Sequence, residues 1–182
     1  PDQLPRIKNL GMILGMGSAA LSRSLPWIQK YGFEKYQGWV MPTKRALDYG
    51  IKVAWEGEGG VANGLFSLMT PFITRRNRQG VIVAADQAVD RNTVLKMATA
   101  WGSEYLMKED ELGSLEVGKS ADLLVLNQDW FTVPEEGLDR TYPLLTLMGG
   151  EIRYLRDEFA QELGKDPVGY QLRYNFERGG AN

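Results

Sequence analysis

The sequence predicts an α/β fold, and three observations lead there. Two short apolar runs, Leu10 to Met16 ("LGMILGM") and Ile51 to Trp55 ("IKVAW"), read as strands. The residues between them read as helical, so strand, helix and strand follow in the order of a parallel βαβ unit. Beyond Leu106 the pattern changes to strands and glycine turns, "GSLEVGKSADLLVL" and "YPLLTLMGGEIRYLRDEF".

The first run is bounded by glycines, which suits a short buried strand. An aromatic-rich helical stretch follows from about Ser22 to Tyr36. In "PTKRALDYG" Thr43 can cap a helix after Pro42, and Gly50 can end it in the left-handed conformation. Ile51 and Val53 are β-branched and mark the second strand. "EGEGGVANG" (Glu56 to Gly64) is then a glycine-rich loop at the carboxyl end of that strand.

A helix is expected from Gly64 to Thr74, then a solvated basic turn, "RRNRQG" (Arg75 to Gly80). Val94, Met97, Ala98, Trp101 and Tyr105 recur at helical spacing, predicting a helix over Arg91 to Leu106 with Asp90 or Asn92 as its cap. "SADLLVL" reads as a fully buried strand, and Gly149-Gly150 as a hairpin turn between two more. The tail from Gln161 to Asn182 is polar and is expected to wrap without forming a core.

A parallel sheet is normally covered on both faces and contains more than two strands. This chain supplies two, so it is expected to need polypeptide from elsewhere to satisfy its sheet edges. The chain also opens at Pro1 without Met, as a cut or processed product would.

Composition narrows the chemistry. Among 182 residues, 43% are hydrophobic and 24% charged, which is globular material. No apolar run approaches the roughly 18–20 residues of a membrane-spanning helix, and the net charge of −2 offers no field for nucleic acid. Neither a membrane nor a nucleic acid is therefore expected as partner. The absence of Cys excludes disulfides and thiolate nucleophiles. The absence of His excludes an imidazole base and histidine metal ligands from this chain.

"TVLKMATAWGSEYL", "LGSLEVGKSADLLVLNQDW" and "TYPLLTLMGGEIRY" together resemble the C-terminal part of the amidohydrolase superfamily, most of all the group labelled amidohydrolase family 3. The resemblance runs from about Leu10 to Tyr154. It implies a (β/α)8 TIM-like barrel with a small β-sandwich built from both chain ends. Leu10 to Met16 would be the seventh barrel strand, Ile51 to Trp55 the eighth, and "SADLLVL" a strand of the sandwich. Residues 1–109 would then belong to the barrel, 110–156 to the composite sandwich and 157–182 to a tail. The implied partner is the N-terminal part, or a separate chain, of the same hydrolase, and the implied substrate a small molecule with a non-peptide C–N bond. A divalent metal, zinc, would be held mainly by residues outside this chain, and water bound to it would be the nucleophile.

Family members carry an Asp in a "GSD"-like context after the eighth strand, where it binds metal and takes the proton of the attacking water. Laying "VAWEGEG" on that pattern puts Glu58 at the Asp position, as catalytic base and metal ligand, with Glu56, Gly57 and Gly59 as substrate-binding neighbours. Glu is a competent base and oxygen ligand, but one methylene longer. On loop statistics alone these acids would be ordinary solvated residues. The alternative is therefore a non-catalytic subunit with an amidohydrolase-like fold.

Other motifs carry less. "GMGSAA" (Gly15 to Ala20) fits a dinucleotide-binding pattern, but Pro26 arrives too soon for the required helix. Trp55, Trp101 and Trp130 suit core packing, and Lys119-Ser120 lies in a turn remote from any barrel mouth.

Overall fold

The structure, a computed structural model, describes residues 2–57 and 64–174. Its first element is a helix that the apolar pattern did not announce, α1 (Leu4–Asn9), with Pro5 in its first turn. Gly11, at φ +64°, ends it. Leu10 and Met12 are 63% and 50% exposed, so only the last three residues of the expected run form the strand β1 (Leu14–Met16). The aromatic stretch is three short helices, α2 (Ala19–Ser22), α3 (Leu25–Tyr31) and α4 (Phe33–Gln37). Pro26 starts α3, and Gly32 at φ +82° separates it from α4.

Helix α5 (Thr43–Asp48) ends at Gly50 with φ +70°, as the sequence suggests. Thr43 is not its cap: Pro42 occupies that position, and the Thr43 hydroxyl donates inward to Met16 Sδ at 3.2 Å. Strand β2 (Val53–Trp55) then pairs parallel with β1 in the register Leu14 to Val53, Gly15 to Ala54 and Met16 to Trp55. The βαβ expectation holds.

Helix α6 (Leu65–Thr74) precedes the basic turn. The helix expected over Arg91 to Leu106 is instead two, α7 (Arg91–Ala98) and α8 (Ala100–Tyr105). Thr99 breaks them apart at φ −124° and ψ −94°, a turn that brings α8 as well as α7 against β2. Asp90 caps α7 as predicted, accepting from the Thr93 amide at 2.9 Å.

The closing region is a three-stranded antiparallel sheet in the order β3 (Leu123–Leu126), β4 (Pro143–Met148), β5 (Glu151–Leu155). The β4–β5 hairpin turns at Gly149 and Gly150, both with positive φ. β3 is half-buried rather than fully buried, and its Leu124 is 43% exposed. Within the tail Val168 departs from expectation, and residues 175–182 lie outside the described residues. Helix α9 (Asp157–Glu162) buries Ala160, and Val168 bridges to Leu155, so this end of the chain adds to a small core on the sheet.

The larger core lies around β2, where Val53, Phe72, Val94 and Met97 have no exposed surface. Burying each such side chain contributes about 1.5–3 kcal/mol. Trp130 packs here against Phe66, ring centres 5.1 Å apart, while Trp55 and Trp101 lie partly buried at its margin. The basic turn corrects a prediction: Arg75 is not solvated but 1% exposed. Among the described residues, the outer edges of β1 and β2 both lack a partner strand.

Candidate functional site at the carboxyl ends of the parallel strands

The parallel pair fixes where its carboxyl ends lie. Glu56, directly after β2, donates its amide to the Met16 carbonyl at 3.0 Å, which extends the ladder by one residue. Its carboxylate lies above Gly15 in the middle of β1. A Cβ at Gly15 would stand 1.9 Å from Glu56 Oε1 and 3.0 Å from the Tyr105 hydroxyl. Glycine there makes room for the acid.

Tyr105 comes from the end of α8 and donates its hydroxyl to Glu56 Oε1 at 3.0 Å. The hydrogen bond and the negative charge of Glu56 raise the Tyr105 pKa above its ordinary value, keeping the phenol protonated. At the other end of the strand, Lys52 pairs with Glu104 of the same helix. Two polar contacts thus fasten α8 along β2, and one of them orients the Glu56 carboxylate. Its remaining oxygen can accept from a donor or cation on a bound molecule.

Trp55 and Gly57 complete the described part of the rim. The Trp55 ring lies so near that a Cβ on Gly57 would meet its Cη2 at 2.7 Å. The Trp55 indole N–H is buried and has no acceptor among the described residues. On the β1 side, Ser18 is 3% exposed at the start of α2.

Of the four predicted site residues, Glu56 and Gly57 stand together at the strand end, while Glu58 and Gly59 lie outside the described residues. Sequence reasoning missed Tyr105, which it assigned to a core-facing helical stripe. It lies 49 positions from Glu56, a separation that offers no local signal. In the sequence Gly15 belongs both to the apolar run Leu10 to Met16 and to the dinucleotide-like motif, and neither points to a carboxylate. "GMGSAA" in the structure leads into a helix of only four residues. Lys119 pairs with Glu116, in a turn.

A metal centre does not fit these side chains alone. His and Cys are absent from the sequence, and among the described residues no three acidic side chains gather where they could hold an ion.

Several known proteins resemble this chain. The 5-methylthioadenosine/S-adenosylhomocysteine deaminase of Thermodesulfovibrio yellowstonii is 32% identical over 93 residues, 51% of this chain and 21% of that protein. Imidazolonepropionase of Bdellovibrio bacteriovorus is 31% identical over 109 residues, covering 60% and 23%. N-substituted formamide deformylase of Arthrobacter pascens is 29% identical over 120 residues, covering 64% and 22%. The chain thus spans between a fifth and a quarter of the length of these relatives.

Among solved structures, a metal-dependent hydrolase from Pyrococcus horikoshii OT3 superposes with a TM-score of 0.61 at 25% identity, over 74% of this chain and 28% of that one. A zinc-complexed atrazine chlorohydrolase from Arthrobacter aurescens TC1 shares the fold at a TM-score of 0.52 and 20% identity, over 84% and 33%. The model of the amidohydrolase family matches residues 1–154, most of the chain, and the chain belongs to that family.

Proposed function

We propose that this chain is the closing portion of a (β/α)8-barrel hydrolase that cleaves non-peptide C–N bonds in small molecules, and that it is inactive alone. β1 and β2 would be the seventh and eighth barrel strands, and β3 to β5 part of a sandwich completed by polypeptide outside this chain. The observation that carries the reading is the parallel pair, unpartnered on both edges among the described residues, with an oriented carboxylate at its carboxyl end. Barrel enzymes place their reactive groups at that face. Family membership and the deaminases and deformylase among the relatives support the C–N bond.

In this reading Glu58 removes the proton of the attacking water, and Glu56, held by Tyr105, binds a donor group of the substrate beside Gly57 and Gly59. Zinc would be held mainly by the completing polypeptide, because this chain brings no His or Cys.

The experiment joins the chain to the polypeptide that completes the barrel and assays release of ammonia or formate from amide, amidine and N-formyl compounds. Turnover is expected from the completed protein, about 10²–10⁴-fold less from Glu58→Gln, and more from Glu58→Asp than from Glu58→Gln. Turnover undiminished in Glu58→Gln would remove the base role. The absence of His and of an acidic cluster among the described residues favours a second reading, a non-catalytic subunit of this fold. That reading predicts no turnover even in the completed protein.

A further inference from the structure

A cleft of about 350 Å³ opens between α2, α6 and the 3-10 turn Glu135–Arg140, with Ser18 of the β1 side in its lining. Ala19, Leu68 and Pro71 contribute apolar surface to its lining. Arg23, Arg76 and Arg78 line it, and so do Glu135, Glu136 and Asp139. Among the described residues no ion pair joins the two sets of charges, although each would neutralise the other. Arg76 donates to the Gly80 carbonyl, while the guanidinium groups of Arg23 and Arg78 have no partner among the described residues.

The basic side is held in place by its backbone. The Arg78 amide donates to the Ser22 carbonyl at 3.2 Å, and buried Asn77 donates to Ser24 Oγ at 3.0 Å, tying the basic turn to α2 and its continuation. On the acidic side, fully buried Leu138 anchors the 3-10 turn, which packs against α6. Both walls therefore have their backbone in place before a ligand arrives, while the charged side chains themselves are left to bond the ligand.

We infer that this cleft is a binding site for a small dipolar molecule, its carboxylate set among the arginines and its protonated amine among the acids. Guanidinium forks match carboxylates in two parallel hydrogen bonds, and carboxylates accept from the three donors of an ammonium group. The volume sits at the low end of ligand pockets, about 300–1,000 Å³, which suits a dipeptide- or tripeptide-sized zwitterion rather than a macromolecule. The proposal does not depend on the hydrolase reading.

The test is calorimetric titration of the 182-residue chain with triglycine, N-acetyl-triglycine and triglycinamide. Triglycine is expected to bind, and each capped form, lacking one charge, to bind at least about tenfold more weakly. Arg78→Glu and Glu136→Arg should each weaken triglycine by a similar factor while leaving the thermal transition in place, because neither side chain makes a bond among the described residues. Equal binding of the three probes would overturn the proposal. So would no saturation by triglycine at about 10 mM, or binding unchanged in both variants.

Discussion

Arg75 brings a charge into the interior, where its guanidinium donates to the carbonyls of Val40, Met41 and Val83 at 3.0–3.3 Å. Burial lowers its pKa to about 10, against the raising influence of Asp86 and Tyr36, so it remains protonated at neutral pH. Removing it leaves the Val40 and Val83 carbonyls facing the core without donors, while the Met41 carbonyl keeps the Thr43 amide at 2.7 Å. Arg75→Met is expected to destabilise the chain by about 3 kcal/mol or more, read from denaturant unfolding. Arg75→Lys, which keeps the charge but cannot fork to three carbonyls, should recover only part of that loss. Tyr105 makes a different prediction. Its pKa is raised by the bond to Glu56, so that bond contributes below the ordinary tyrosine pKa and is lost as pH rises through the folded-state value. Gly15→Ala displaces the Glu56 carboxylate, and Glu56→Gln removes its charge. Either change should lower the Tyr105 titration midpoint, followed by NMR of isotope-labelled tyrosine, and an unchanged midpoint would refute the contact.

At the level of elements, caps and turns set the boundaries. Asp90 accepts from the Thr93 hydroxyl and amide, which lowers its pKa. Its contribution is therefore present above the ordinary Asp pKa and lost as pH falls through the lower folded value. Asp90→Ala should cost about 1 kcal/mol at neutral pH, with the difference from the parent vanishing in acid. Gly149 and Gly150 have φ values of +59° and +83°, which side chains resist. Gly149→Val is expected to cost about 1–2 kcal/mol and to loosen the hairpin, seen as faster amide exchange in β4 and β5. These devices were readable in advance, because Asp-x-x-Thr before a helix and Gly-Gly between apolar runs act within a few residues. The kink at Thr99 was not. The apolar spacing of Val94, Met97 and Trp101 continues across it, and packing against β2 decided the bend.

For the whole molecule, the question is what lies beside the parallel pair. In a parallel ladder the amides alternate in direction. Leu14 and Glu56 donate across the pair, and Gly15, Val53 and Trp55 point the other way. In the isolated chain those outward amides of the strand edges should exchange faster than those of Leu14 and Glu56. Joining the completing polypeptide should slow them by about 100-fold or more. Exchange that stays the same in both would count against barrel completion.

The sequence by itself determined the order of the strands, the parallel pairing, the hairpin and the family. Each follows from periodicity, turn chemistry or a motif carried by neighbouring residues. Tertiary structure alone decided that Arg75 is interior, that α8 turns back along β2, and that Tyr105 and Gly15 hold the Glu56 carboxylate. Those contacts join residues 34 to 49 positions apart for Arg75 and Tyr105. Their energy depends on burial and direction in space, and neither quantity is encoded in local spacing.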